Sequence, residues 1–392
     1  MNIASVFLKK GKEGPILHGS PWVYSGSVEK IEDYKEPGQM CDIFSYKNKF
    51  VARGYVNTKS QITCRVLAHR AIELDRNFLK EKIETAFNLR KQFVIPFTNA
   101  YRLIHSEGDF LPGLIVDVYN KGIVCQFLTA GMESFKQDVV SILRELFKPD
   151  FIYEKSDTSA MAKEGLKSIR QNLYGDVKSE IMIQEYGHTF SINPQSGQKT
   201  GFFLDQRDSR YLLGEISRNK RVCDCFSYTG GFSVYAGAGG AKSIVSVDES
   251  VHVFSIAEKN ISLNNINTAR FIQKDVFRFL RETDSQYDII VLDPPPFARS
   301  KSSVKEALTG YKELNIQAIK KLSPGGILFS FSCSQAISTE LFQQILFNSA
   351  IEARKEIQIL RRIGQPVDHP VNIYHREGEY LKGFILKVIG GM

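Results

Sequence analysis

From about residue 219 the chain alternates short apolar strands with helical stretches, and this alternation limits its fold more than any other feature. The candidate strands are 221–226, 243–248, 270–274, 287–292, 325–333 and 381–388. The helical stretches between them cover 231–238, 250–265, 276–283, 304–321 and 338–352. Apolar strands that alternate with helices form a mostly parallel sheet with helices on both faces. We therefore predict an α/β fold with a doubly wound, Rossmann-like sheet at the C-terminal end.

Two smaller modules precede this sheet. In residues 1–72, short apolar or alternating runs are separated by Gly, Pro, Asn and Ser, which predicts a small β barrel. Residues 73–189 mix both kinds of element and predict a central α+β module. Its helical stretches are 73–93 and 133–147, and its strand-like runs are 113–118, 122–128 and 150–154. The predicted domains are thus 1–72, 73–189 and 190–392.

The composition indicates the cellular compartment in which we expect the chain and the kind of partner that it binds. The six cysteines include no CxxC pair, so we expect free thiols in a reducing cytoplasm and no structural metal site. No apolar run is long enough for a membrane span, and the N-terminal run is too short for a signal peptide. The net charge of +8 comes from a basic N-terminal module and a basic C-terminal domain. That balance favours a polyanionic partner such as RNA, although many basic proteins never bind one.

The first strand of the predicted sheet runs into a glycine turn, and acids follow the next two strands. Ligands of such sheets bind outside the carboxyl ends of the strands. An acid about 20 residues after a glycine turn is typical of an adenosine-type ligand, whose ribose hydroxyls Asp248 can accept. Asp275, after the third strand, is suited to the adenine amino group. The expected ligand residues are Asp224, Phe226, Ser227, Thr229, Gly230, Gly231, Asp248, Asp275 and Asp293.

The turn reads SYTGGF and lacks the GxGxxG spacing that holds a dinucleotide pyrophosphate. S-adenosylmethionine has no phosphate and carries a positive sulfonium, which acidic and aromatic residues suit. We therefore expect S-adenosylmethionine, with a nicotinamide dinucleotide as the alternative. Any one of the three acids Asp224, Asp248 and Asp275 could instead be only a helix N-cap.

The fourth and fifth strands end in residues suited to chemistry on a nucleobase. Asp293 opens a rigid loop of three consecutive prolines, although such a run can also be purely structural. Cys333 ends the fifth strand, and neighbouring strand ends bring it into one crevice with Asp293. A thiolate that adds to carbon 6 of a pyrimidine makes carbon 5 nucleophilic toward a sulfonium methyl group. Cys333 could otherwise be an inert buried thiol, whereas Cys223 and Cys225 lie inside a strand and are expected in the core.

Over essentially the whole chain, the motifs resemble those of the RlmI-type ribosomal RNA cytosine methyltransferases. HGSPWVYSGSV (18–28) and FVARGYVNTKSQITCRVL (50–67) are similar to the PUA domain of that family, and RLIHSEGDFLPGLIVD (102–117) to its central module. The most specific match is QKTGFFLDQR (198–207), and FSCS (331–334), DHP (368–370) and EYLKGF (379–384) also match.

The resemblance implies a function and adds residues to the site. It implies carbon-5 methylation of cytosine in large-subunit (23S) rRNA, with Cys333 as nucleophile and no metal. It also implies that Phe202, Phe203, Asp205 and Arg207 line the methyl-donor pocket. Asp293 is expected to orient or protonate the base. An RNA partner rather than DNA or a membrane, and a homodimer, follow from the same resemblance.

Two departures from the family pattern concern the proline loop. The family usually has lysine where this chain has Pro296. Many other RNA cytosine methyltransferases place a second cysteine after the prolines of this loop, where this chain has Phe297. The sequence therefore does not assign the base that removes the carbon-5 proton.

Two other functions remain open from the sequence. A methyltransferase acting on a purine nitrogen would use the Asp-Pro-Pro loop without a cysteine. A non-catalytic rRNA-binding assembly factor would retain the fold and bind RNA without consuming the methyl donor.

Overall fold

The computed structural model describes residues 3–297 and 304–391, apart from the side chain of Ala160. The described residues form two compact units. The first holds the residues up to Gln184 with Ile192–Leu204 and Val367–Gly378. The second holds Glu185–Ser191, the described part of Asp205–Pro366 and the residues from Glu379 on. The domain boundaries at residues 72 and 189 remain a prediction.

The predicted small β barrel is a six-stranded sheet. Its elements are β1 (Ala4–Leu8), α1 (Gly14–Leu17), β2 (Trp22–Tyr24), β3 (Val28–Glu32), β4 (Gln39–Phe44), β5 (Phe50–Val56) and β6 (Ile62–Ala68). The strand order is β2-β6-β5-β4-β1-β3, in which β1 pairs parallel with β4 and antiparallel with β3. Alternate residues such as Ala4, Val6 and Leu8 are buried, because successive side chains of a strand point to opposite faces.

The predicted α+β module is also present. It consists of α2 (Arg76–Phe93), β7 (Ala100–His105), β8 (Leu114–Tyr119), β9 (Gly122–Phe127), α3 (Ala130–Ser134), α4 (Lys136–Phe147), β10 (Phe151–Ser156), α5 (Ser159–Lys163) and β11 (Ile169–Tyr174). The strand order is β11-β10-β9-β8-β7. The single helical stretch predicted over 133–147 is wrong in one respect, because Phe135 leaves helical geometry (φ −87°, ψ 0°) and separates α3 from α4.

A hairpin of β12 (Ile181–Glu185) and β13 (His188–Ile192) follows, and the second unit is then built on a seven-stranded sheet. Its elements are α6 (Arg207–Ile216), β14 (Arg221–Cys225), α7 (Gly231–Ala238), β15 (Ser243–Asp248), α8 (Val251–Leu263), β16 (Ala269–Gln273), α9 (Val276–Glu282), β17 (Tyr287–Leu292), α10 (Val304–Lys321), β18 (Leu322–Ser332), α11 (Thr339–Glu352), β19 (Lys355–Ile363) and β20 (Lys382–Gly391).

The order of this sheet is β16-β15-β14-β17-β18-β20-β19. The first five strands are mutually parallel, and β20 lies antiparallel to β18 and to β19. The predicted doubly wound sheet is therefore confirmed. Because β14 lies inside the sheet and the chain order reverses beside it, the ends of β14, β15 and β17 meet at a topological switch point, where such sheets bind ligands.

Strand β18 begins three residues earlier than predicted, even though Pro324 lies within it. Its pairing with β17 jumps from Leu322 opposite Tyr287 to Ile327 opposite Ile289. The intervening bulge contains Pro324 and Gly325, which are exposed, and Gly325 has φ +75°. A proline that cannot donate to the ladder is tolerated at such a bulge.

Candidate active site at the carboxyl ends of the strands

The backbone of the turn after β14 is strained at two residues that are not glycine. Phe226 and Tyr228 adopt positive φ (61° and 47°), which side chains with a Cβ rarely do. Gly230 follows with φ +77° and is the N-cap of α7. The turn is closed by a hydrogen bond from the Gly230 amide to the Ser227 carbonyl, 2.8 Å. Strain of this kind persists at ligand-binding turns because the surrounding structure enforces it.

Asp224, near the end of β14, is a buried acid with an unsatisfied oxygen. Its Oδ2 accepts a hydrogen bond from Ser233 Oγ at 2.6 Å, while its Oδ1 has no partner among the described residues. Burial, and then the nearby charges of Asp293 and Asp248, raise the pKa of Asp224 to about 7. Ser227 Oγ is also buried without a partner among the residues described. Because buried polar atoms are rarely left unpaired, both atoms point to a polar ligand.

Asp248 and Asp275 occupy the ends of the next two strands but differ in environment. Asp248 is half-buried and accepts hydrogen bonds from the amides of Tyr228 and Ser250, both 3.0 Å, one on each oxygen. Each of these oxygens has a second lone pair for a ribose hydroxyl. Asp275 is exposed, and its Oδ1 caps α9 by accepting the Arg278 amide at 2.8 Å. The N-cap alternative therefore describes part of what Asp275 does.

Asp293 follows β17 and is held by a residue that the sequence did not single out. Gln206 donates from Nε2 to Asp293 Oδ1 at 2.9 Å, and only 2% of the Gln206 residue surface is exposed. The other end of the proline loop is fixed by Phe297, whose ring centroid lies 4.6 Å from that of Tyr311. The acid thus sits on a loop that is restrained at both ends.

Cys333 follows β18 and faces the same loop. It is partly exposed, whereas the other five cysteines are buried. Its Sγ lies 3.8 Å from the carbonyl oxygen of Pro294, the residue after Asp293. The expectation that adjacent strand ends bring the cysteine and the proline loop into one crevice therefore agrees with the geometry. Cys223 and Cys225 are fully buried in the core, as predicted.

The residues of the 198–207 segment are divided between the two units. Phe202 and Phe203 belong to the first unit, in which Phe202 is buried and Lys199 lies 4.4 Å from the Phe203 ring centroid. Asp205 and Arg207 belong to the second.

In the second unit, Tyr380 Oη donates to Asp205 Oδ2 at 2.7 Å. The Arg207 guanidinium lies 3.4 Å from the Glu185 carboxylate.

Lys382 is the second residue that the sequence did not single out. It opens β20, is 3% exposed, and donates from Nζ to the carbonyl of Ser334 at 2.8 Å. Both Gln206 and Lys382 lie inside segments that carry the family resemblance. That position was the one feature of the sequence that could have identified them as site residues. Their burial and partners depend on contacts across more than 45 residues of sequence.

Metal-binding clusters and membrane-spanning helices are both absent from the described residues. Among them, no group of three or more His, Cys, Asp or Glu side chains is arranged to hold a metal ion. None of the described helices is both long and apolar enough to cross a membrane.

Comparison with known proteins decides the family. Residues 6–69 match the model of a PUA-like domain, and residues 165–374 match that of the S-adenosylmethionine-dependent methyltransferases. A curated relative from Tolumonas auensis, named ribosomal RNA large subunit methyltransferase I, is 40% identical over 98% of this chain and 99% of that protein. The protein of the same name from Vibrio cholerae is 38% identical, also over 98% of this chain and 99% of its own.

The chain belongs to this family of S-adenosylmethionine-dependent methyltransferases. The fold is also similar to that of a candidate methyltransferase solved from Streptococcus mutans, with 23% identity, a TM-score of 0.84 and coverage of 98% of this chain and 100% of that one. A second similar structure was solved in complex with S-adenosylhomocysteine, with 24% identity and a TM-score of 0.85, over 99% of this chain and 100% of that one.

The methyltransferase site fits the methyl donor of its family. The matched region contains the strained turn and Asp224, Asp248, Asp275, Asp293 and Cys333. Two buried oxygens without partners among the described residues lie at the switch point. The negative charges of the neighbouring acids there also repel one another. A ligand with a sulfonium charge and hydrogen-bonding hydroxyls relieves both.

Proposed function

We propose that this protein methylates carbon 5 of a cytosine in large-subunit (23S) rRNA, with Cys333 as the nucleophile. The observation that carries the proposal is the position of Cys333, which is the partly exposed cysteine and lies 3.8 Å from the loop that Asp293 begins. The names of the curated relatives support the rRNA substrate.

The chemistry follows from the poor reactivity of carbon 5 in a pyrimidine. The thiolate of Cys333 adds to carbon 6, and the electron pair of the 5,6 double bond becomes available at carbon 5. Carbon 5 bonds to the methyl carbon as its bond to sulfur breaks, which leaves S-adenosylhomocysteine. A base takes the proton from carbon 5, the double bond re-forms, and the Sγ–C6 bond breaks to release the thiolate. The base that takes this proton is not assigned.

Asp293 is proposed to act at the edge of the cytosine ring that carries N3. A carboxyl group there can donate a hydrogen bond to the ring or accept one from it as negative charge moves into the ring during thiolate addition. The hydrogen bond from Gln206 orients this carboxyl group, and the prolines after it limit its movement. The arrangement positions the acid before substrate binds, which reduces the entropy lost on reaching the transition state.

The methyl-donor residues remain proposals as individual assignments. Asp224, Phe226, Ser227 and Thr229 belong to β14 and its strained turn, with Gly230 and Gly231 shaping the backbone. Asp248 is assigned to the ribose hydroxyls and Asp275 to the adenine amino group. Phe202, Phe203, Asp205 and Arg207 keep the role that the family resemblance implies for them.

RNA binding is proposed to involve the PUA-like domain and the basic surface of the methyltransferase domain. Contacts between basic side chains and phosphates weaken as salt rises, because bound counterions are released. The target cytosine has to leave its stack to reach Cys333, as other base-modifying enzymes require. A cytoplasmic location is proposed together with this rRNA substrate, and the homodimer stays a prediction from the resemblance.

Nucleoside mass spectrometry tests this function. The protein is incubated with labelled S-adenosylmethionine and unmodified large-subunit rRNA, and the digested RNA is searched for the label. We expect labelled 5-methylcytidine with the wild type and with Cys64→Ala, a control cysteine in the core of the first unit, and none with Cys333→Ala. A labelled purine that survives Cys333→Ala would support the purine-nitrogen alternative. RNA binding without label would support the assembly factor.

A further inference from the structure

Lys382 is a buried cation next to the proposed nucleophile. It opens β20, where its Cα pairs with Ser332, and it donates from Nζ to the carbonyl of Ser334 at 2.8 Å. These two serines flank Cys333 on either side. The lysine is therefore tied to the chain segment that carries the thiol, although it lies 49 residues away in sequence.

The burial of this ammonium group is not balanced by an ion pair. Lysine is rarely fully buried unless it is paired, yet within residues 3–297 and 304–391 no carboxylate forms a salt bridge with Lys382. Its hydrogen-bond acceptor is a neutral carbonyl. Burial lowers the pKa of Lys382, and the negative charge of ionised Cys333 is the largest effect that raises it, followed by that of Glu379. Of these two negative charges, that of ionised Cys333 therefore has the larger stabilising effect on the cation.

Other charged or titratable groups lie on the elements that surround Cys333. Asp293 lies in the loop after β17, one residue before the carbonyl that Sγ contacts. Tyr311, on α10, is within 3.0 Å of Ser334 Oγ, and burial raises the pKa of its phenol, which keeps it neutral at physiological pH. Glu379 precedes β20. A carboxylate close to the thiol disfavours a thiolate at Cys333, whereas the ammonium group of Lys382 favours one.

We propose that Lys382 is a positioning residue that stabilises the Cys333 thiolate and fixes the Ser334 carbonyl beside it. The proposal rests on the proposed role of Cys333 as nucleophile. In the resting enzyme the thiol loses its proton to water, and Lys382 keeps its three protons before and after this step. A positive charge beside a thiol favours the thiolate, which is the form that attacks carbon 6.

The test is the pH dependence of alkylation of Cys333 by iodoacetamide, followed by mass spectrometry of the intact protein. Alkylation reports the thiolate without RNA or methyl donor. The other cysteines are buried, and Cys333→Ala gives the background. We expect a midpoint below the value of about 8.5 that an ordinary thiol shows. In Lys382→Met the midpoint should rise by about one pH unit, which makes alkylation at pH 7 roughly tenfold slower.

Two further variants separate charge from structure. Lys382→Arg keeps the charge and should keep the wild-type midpoint, whereas Lys382→Gln keeps a hydrogen-bond donor without the charge and should behave as Lys382→Met does. Equal midpoints in the wild type and the two uncharged variants would overturn the proposal. A wild-type midpoint at or above 8.5 would overturn it even where no uncharged variant folds. Full methylation by Cys333→Ala would instead refute the proposed function and leave the alkylation result to stand by itself.

Discussion

From the raised pKa of Asp224 we derive a quantitative prediction about the binding of the methyl donor. Burial and the neighbouring acids Asp293 and Asp248 raise this pKa to about 7, so the carboxyl group titrates in the physiological range. A cationic ligand binds the ionised form more tightly, and binding therefore weakens as pH falls through 7. With a pKa of about 7, the ionised fraction falls from roughly three quarters at pH 7.5 to roughly 3% at pH 5.5. The affinity for S-adenosylmethionine should then fall about 25-fold over this range.

The assay is calorimetric titration of S-adenosylmethionine at several pH values between 5.5 and 7.5. Asp224→Asn should bind weakly throughout and lose most of this pH dependence. Asp284→Asn, which removes an exposed carboxylate of the same unit, should keep both the affinity and the slope. The difference between the slopes of the wild type and Asp224→Asn is the quantity predicted, because it excludes titration of the ligand. The reasoning is refuted if the two slopes are equal.

Three more predictions concern the site, its turn and the basic surfaces. Gln206→Leu removes a hydrogen bond to a carboxylate, which is worth about 1.5–3 kcal/mol. The rate constant for methyl transfer in single-turnover assays should therefore fall about 10- to 150-fold, while the Kd for S-adenosylmethionine stays nearly constant. An unchanged rate constant would show that Gln206 does not orient Asp293. Gly230→Ala places a side chain at φ +77° and should destabilise the fold by about 1–2 kcal/mol in urea unfolding, whereas Gly14→Ala, at ordinary φ with open space around it, should cost far less. Raising salt from 50 to 200 mM should weaken rRNA binding at least tenfold in filter binding, and a salt-independent Kd would argue against phosphate contacts by the basic surfaces.

Much of the fold could be predicted because hydrophobic periodicity and turn residues act locally. Strands β15 and β17 have the predicted bounds, 243–248 and 287–292, since each is a short apolar run bounded by polar residues. The strand Lys355–Ile363 was missed because four of its nine residues are charged. It lies at the edge of the sheet, where long charged side chains reach solvent and no apolar pattern is needed.

Residues of the site could be predicted only where the residue type and its position at a strand end together indicate chemistry. Asp224 lies near the end of an apolar strand, and Asp248, Asp293 and Cys333 end or follow one. Their place at one sheet edge therefore follows from the parallel topology. Gln206 and Lys382 have no such mark in the sequence. Their roles arise from burial and from partners 87 and 48 residues away, which only the folded chain brings together.

Covalent trapping tests the central claim most directly. Large-subunit rRNA transcribed with 5-fluorocytidine has no proton to lose from carbon 5, so the bond between Cys333 and carbon 6 should persist after methyl transfer. We predict an RNA–protein adduct that survives denaturation, requires S-adenosylmethionine, and maps by peptide mass spectrometry to Cys333. An adduct that persists in Cys333→Ala, or methylation of ordinary rRNA by that variant, would contradict the account.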